Sequence, residues 1–162
     1  MILKRGSTIF LRAAVFAIGA AVLAICIFAL PATWRAVADE YPDITYVFYS
    51  ILSALYIAAV PFFIALHQAL RLLGYIDKNK AFSELSVRAL RRIAYCGVSI
   101  GAIFTAILPL LYVWAQNDDA PGLILIGMIL VGASLTVAVF AAVMQRLLRE
   151  AIYIKSENDL TV

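Results

Sequence analysis

An all-α fold, an integral membrane four-helix bundle with both termini cytoplasmic, is predicted by three observations. Hydrophobic residues make up 65% of the 162-residue chain and charged ones 14%, with a mean hydropathy of +0.98. Soluble domains run at about 45–50% apolar and about 25% charged. The charges are also clustered: Ala13–Trp34, Ile44–Leu70, Ile93–Asn117 and Ala120–Gln145 contain no Asp, Glu, Lys or Arg. Each run exceeds the roughly 20 apolar residues that cross a hydrocarbon core of about 30 Å. Finally, Arg35 is the only one of the 13 basic residues in the two connections that carry Asp39, Glu40, Asp43, Asp118 and Asp119. Lys/Arg bias in short loops sets orientation, which places both termini and the central loop on the cytoplasmic side. The expected spans are about 10–31, 45–70, 93–115 and 122–145, with a cytoplasmic basic loop at 71–92 and a cytoplasmic tail at 146–162, all in one transmembrane domain.

The first span follows Lys4 and Arg5, a positive flank for an apolar run longer than a secretory h-region. It reads as a retained signal anchor. Arg12 can snorkel to the headgroups. Pro31 is expected to stop the helix, with Trp34 at the interface and Trp34–Asp43 as an acidic outer connection. The second span opens on Tyr46, Phe48 and Tyr49, an expected aromatic girdle. Pro61 removes one i→i−4 bond and predicts a kink. The lone His67 has no metal-ligating neighbour at helical spacing.

The chain is organised around Gly74–Arg92, where Lys78, Lys80, Arg88, Arg91 and Arg92 face only Asp77 and Glu84. Gly74 reads as a helix stop, Asp77–Lys80 as turn chemistry and Ser83 as an N-cap. Leu85, Ala89, Leu90 and Ile93 share one helical face. One continuous helix from Ser83 to about Trp114 follows, roughly 48 Å at 1.5 Å per residue, so its first turns project out of the bilayer. Gly97 and Gly101, four apart, predict close helix packing, either inside the bundle or in a homo-oligomer. Ala13/Ala17/Ala21, Ser50/Ala54/Ala58 and Ser134/Ala138/Ala142 repeat that spacing. Pro109 predicts another kink, and Tyr112 with Trp114 a second part of the outer belt. Gln116–Gly122 reads as a tight acidic turn, its paired aspartates lacking the alternating pattern of a calcium loop. The fourth span continues past the membrane into Lys155–Val162, read as a free polar tail.

Chemistry is sparse. The spans hold no Asp, Glu or Lys between their ends, which counts against ion-coupled pumps and voltage sensors. There is no phosphate-cradling glycine loop and no nucleophile beside a base. Cys26 and Cys96 sit at different depths and do not suit a disulfide. No enzymatic activity, cofactor or metal is expected.

The stretches KRGS at 4–7, YIDKNKAFSELSVRALRRI at 75–93, DDAPG at 118–122 and KSENDLTV at 155–162 resemble a family of small bacterial membrane proteins, domain of unknown function 2975. The resemblance spans nearly the whole chain. It implies a four-span inner-membrane protein of Gram-positive and related bacteria, and carries no assigned activity or site residues. Genes of that family often neighbour one for a small helix-turn-helix regulator resembling phage Cro and repressor proteins. The resulting expectation is a membrane-anchored regulatory protein whose basic cytoplasmic face binds such a regulator. The candidate contacts are Lys78, Lys80, Phe82, Leu85, Arg88, Arg91, Arg92, Leu160 and Val162. The basic residues also suit anionic lipid headgroups at a cell membrane. Direct nucleic-acid binding is not expected. The alternative is a small transporter or immunity-type protein, which predicts a polar cavity lined by Ser50, Ser53, Ser99, Thr105, Ser134 and Thr136.

Overall fold

The computed structural model describes residues 2–161, with side chains described from residue 5. Five α-helices follow in order: α1 (Ile2–Ala24), α2 (Leu30–Glu40), α3 (Thr45–Asp77), α4 (Glu84–Asn117) and α5 (Gly122–Leu160). A π-helical segment, Ile25–Ala29, joins α1 to α2, and a 3₁₀ turn, Pro42–Ile44, precedes α3. Four helical stretches are long and apolar enough to cross a membrane: Arg5–Glu40, Pro42–Asp77, Glu84–Asn117 and Gly122–Leu160. No strand occurs among the described residues.

Packing follows chain order. The first span rests on α3, α3 on α4, and α4 most extensively on α5. With no water between lipid-solvated helices, van der Waals fit and interhelical hydrogen bonds carry association. The α4/α5 contact shows that fit. A Cβ added to Gly97 would lie 2.9 Å from the Ala138 Cβ and 3.0 Å from the Ser134 carbonyl oxygen. One added to Gly101 would meet the Leu135 side chain at 3.0 Å. The face offered for a homo-oligomer is therefore filled by α5 of the same chain. The Ser134/Ala138 pair lies opposite as its spacing predicts, and Ala54 and Ala58 are buried. Ala13, Ala17 and Ala21, by contrast, point outward. The inner face of α1 is Thr8, Arg12, Val15, Gly19 and Val22.

Near the ends away from the chain termini, Ile44, Val47, Phe48, Ile51, Ala54, Ile107 and Leu111 form a core, with Trp34 and Trp114 packed against it. Trp34 lies 3.9 Å from Tyr49 between ring centroids, and Phe48 meets Trp114 edge-on at 4.8 Å. Part of the expected girdle thus packs internally, because Phe48 falls on the buried face of α3 with Val47 and Ile51. Tyr46, Tyr49 and Tyr112 remain outward-facing.

Several expected boundaries move. Pro31 does not stop the first span. It stands at the start of α2, and the clash of its ring with the preceding turn is absorbed by the π segment. The outer connection accordingly shrinks to the few residues after Glu40. Gly74 lies inside α3, which runs on to Asp77. There the chain closes by a Schellman motif: Lys80 N–H donates to the Tyr75 carbonyl at 2.8 Å and Asn79 N–H to Ile76 at 3.2 Å. Asn79 occupies the left-handed position at φ 56°, which a short amide side chain tolerates. The acidic outer turn uses the same device, with Asp119 at φ 48° and Ala120 N–H on the Ala115 carbonyl. α4 is continuous as expected, and α3 and α4 pass through Pro61 and Pro109 without a break. Ser83 holds the N-cap position, but its hydroxyl donates backward to the Lys80 carbonyl at 2.6 Å rather than capping the helix. The inner face at the start of α4 is Ser86, Val87 and Ala89, with Leu85 outside. The tail Lys155–Leu160 is helical, not free.

Candidate functional site

The polar end that carries the chain termini is built by the α3–α4 turn and the ends of α4 and α5. Tight antiparallel pairing of α4 and α5 sets Gly97 opposite Ala138. Carrying that register toward the polar end brings Leu85 level with Glu150. It leaves Ile152–Leu160, roughly 13 Å of helix at 1.5 Å per residue, standing past the start of α4. Lys78, Lys80, Arg88, Arg91 and Arg92 are all exposed on the turn and first turns of α4. Phe82 is 59% exposed and Leu85 43%, so both are available for contact. Leu160 is 84% exposed but sits at the far tip of α5, away from Leu85. Val162 lies outside the described residues. Gly97 and Gly101 are buried at the α4/α5 seam and belong to the scaffold.

This end is net electropositive, although α5 also brings Glu150, Glu157 and Asp159 to it. The single ion pair among the described residues is Arg12 to Asp77, 2.8 Å, which removes one of the two island acids from play. Glu84 pairs with none of the basic groups, although it sits in the first turn of α4, where negative charge is favoured by the helix dipole. On α5, Gln145 borders a hollow together with Arg91, and Arg146 and Arg149 border the adjoining one. Their contribution was readable from Arg146 and Arg149 one turn apart, but not the hollows they border.

Sequence reasoning also missed three links that hold the first span. At its inner end Arg12 reaches Asp77. At its outer end the Tyr41 hydroxyl donates to Asp118 Oδ1 at 2.5 Å, joining the two outer connections. That bond, with lesser help from burial and from the charges of Asp118 and Glu40, pushes the Tyr41 pKa up to about 12. In mid-span, the Tyr56 hydroxyl donates to the Cys26 carbonyl at 2.8 Å. This last link has a covalent cause. In the π segment Leu30 N–H bonds the Ile25 carbonyl, so the Cys26 carbonyl would next look to residue 31. That residue is proline, which has no N–H. Tyr56 fills the gap in a medium that supplies no water.

The six hydroxyls proposed to line a polar cavity do something else. Ser50, Ser99, Thr105, Ser134 and Thr136 each donate to the carbonyl four residues earlier, and Ser53 to the carbonyl three earlier. Their hydrogen-bonding capacity is turned onto their own helices.

A row of long apolar helices with a polar, basic end defines a small multi-pass membrane protein of four helical spans. The chain belongs to the family described as protein of unknown function DUF2975, whose model matches residues 32–162. It is also 54% identical over 160 residues to the uncharacterized membrane protein YoaS of Bacillus subtilis (strain 168), covering 99% of this chain and 100% of that one. No solved structure matches it. The resemblance carried by the island and tail motifs therefore holds.

Proposed function

We propose that this protein is a membrane-anchored interaction protein of the cell membrane whose basic face docks a small helix-turn-helix transcription regulator. Both termini and the α3–α4 turn face the cytoplasm in this reading, as the Lys/Arg bias requires. The observation that carries it is the reach of α5. Its 39 residues span roughly 58 Å, far beyond a hydrocarbon core of about 30 Å. The excess stands on the same end as the exposed basic turn, and presents Tyr153, Ile154 and Leu160 at 65%, 59% and 84% exposure. Those side chains offer apolar contact area to a partner beside the charged turn. The partner class comes from the family resemblance, and two exposed patches are the contacts proposed for it. One is Lys78, Lys80, Phe82 and Leu85; the other is the α5 tip.

The test is co-purification in detergent of the tagged full chain from its native host, beside a variant lacking Ser156–Val162. A small helix-turn-helix protein recovered only with the full chain supports the reading and places the contact on the tip. Recovery with both places it on the α3–α4 turn. Recovery with neither, after crosslinking, overturns the reading.

A further inference from the structure

The surface where α4 meets α5 is grooved at the terminus-bearing end, independently of the docking reading above. A hollow of about 470 Å³ is bordered by Arg91, Tyr95 and Val98 of α4 and by Leu135, Val139 and Gln145 of α5. A second hollow of about 420 Å³ adjoins it, shares Val139, Ala142 and Gln145, and adds Val143, Arg146 and Arg149. The character of this surface changes sharply along its length. From Leu135 to Val143 the α5 wall is apolar except for Thr136, whose hydroxyl is bound to the Gly132 carbonyl. At Gln145 it becomes polar, with Arg91 bordering the first hollow and Arg146 and Arg149 bordering the adjoining one. None of these three arginines is ion-paired. Glu150, four residues after Arg146 on the same helix, does not reach it.

The dimensions select an occupant. The ten residue steps from Leu135 to Gln145 rise roughly 15 Å along the helix, which is half of a hydrocarbon core of about 30 Å. The two hollows together are thus about as long as one leaflet is deep, and Arg146 and Arg149 directly follow the uncharged run of α5 as Arg91 directly precedes that of α4. We propose that this groove is a binding site for one anionic phospholipid, its phosphate held by Arg91, Arg146 and Arg149 and an acyl chain lying along Leu135, Val139 and Val143. Guanidinium groups suit phosphate oxygens through paired, charge-assisted hydrogen bonds. The Tyr95 side chain, 67% exposed beside Arg91, places a further hydroxyl at the glycerol-ester level. The site is distinct from the docking patches, which lie on the turn and on the α5 tip.

The experiment is native mass spectrometry of the purified full chain, released from micelles containing equimolar phosphatidylglycerol and phosphatidylcholine. The expected result is selective retention of one phosphatidylglycerol. In the Arg146→Gln/Arg149→Gln variant its apparent affinity falls about 30-fold, at about fivefold per headgroup-level arginine. Arg35→Gln, at the opposite end, leaves it unchanged. Val139→Trp, which fills the apolar wall while keeping every arginine, also abolishes retention. Helical circular dichroism and a monodisperse elution profile confirm that each variant is folded. Equal retention of the zwitterionic lipid, or undiminished retention by the double variant, overturns the site. Displacement by millimolar inorganic phosphate, or retention unaffected by Val139→Trp, reassigns the arginines to a free anion and overturns the lipid. No regulator protein is present in this measurement, so its failure leaves the docking reading untouched.

Discussion

Replacing Tyr56 with Phe removes one oxygen atom and tests why the first span stays docked. That atom is the one donor reaching the Cys26 carbonyl, at 2.8 Å, since Pro31 has no N–H to give and Leu30 is committed to Ile25. A buried polar group left without a partner costs about 1–3 kcal/mol. Interhelical hydrogen bonds in membranes average nearer about 0.6 kcal/mol and reach about 1.7, because an unpacked helix finds other partners. Here the helix cannot supply another partner at that carbonyl, so the upper part of that range applies, about 1–2 kcal/mol. The assay is reversible unfolding in mixed micelles, repeated in a Pro31→Ala background. Alanine restores an N–H at position 31, so the Tyr56→Phe cost should shrink there by at least about 0.5 kcal/mol, a coupling within the range for residues sharing a network. An equal cost in both backgrounds, or none in either, refutes the argument that Tyr56 answers for Pro31.

Further outcomes rest on the packing and on the two polar links at the ends of the first span. Gly97→Ala forces a methyl against the Ala138 Cβ and the Ser134 carbonyl, so it should destabilise the α4/α5 pair by about 1–3 kcal/mol. Ala138→Gly should rescue it only in part, because the carbonyl remains. Gly132→Ala meets nothing within 4 Å and should be neutral or slightly stabilising, as helix propensity predicts; both are read by the same unfolding assay. Tyr41 should ionise near pH 12, later than in an Asp118→Asn variant, in an ultraviolet difference titration. With its folded pKa raised, the link's contribution to stability is complete below pH 10 and is lost as pH rises through about 12. Arg12→Ala should cost at most about 1 kcal/mol, since its ion pair is partly solvated at 41% and 31% exposure, and high salt should erase the difference.

The four spans, the continuous α4 and the two tight turns were legible because they rest on quantities that one chain segment decides alone. Those quantities are apolar run length, absence of charge, and short polar residues able to adopt a left-handed conformation, as Asn79 and Asp119 do. The positions of Lys78, Lys80, Phe82, Leu85 and Leu160 on an exposed polar end were legible for the same reason. Element ends were less so. Pro31 and Gly74 carry strong stop signals, yet both lie within longer helices: at Pro31 lipid penalises backbone groups released from a helix more than it penalises a proline inside one, and past Gly74 the helix runs on until Asn79 takes the left-handed position that closes it.

The sequence by itself determined that this chain lives in a membrane as four helices with one strongly basic end, since burial in lipid and charge placement are local costs summed along the chain. Only the tertiary structure decided which faces meet. Periodicity offered Ala13/Ala17/Ala21 and Gly97/Gly101 as equivalent small-residue stripes, yet one faces outward and the other receives Ala138. In an apolar solvent an inward and an outward face look alike, so hydrophobic pattern cannot choose between them, and the choice falls to shape and to single hydrogen bonds. Tyr56 on Cys26, Tyr41 on Asp118 and Arg12 on Asp77 join positions 30, 77 and 65 residues apart. Such pairings exist only once the helices are side by side.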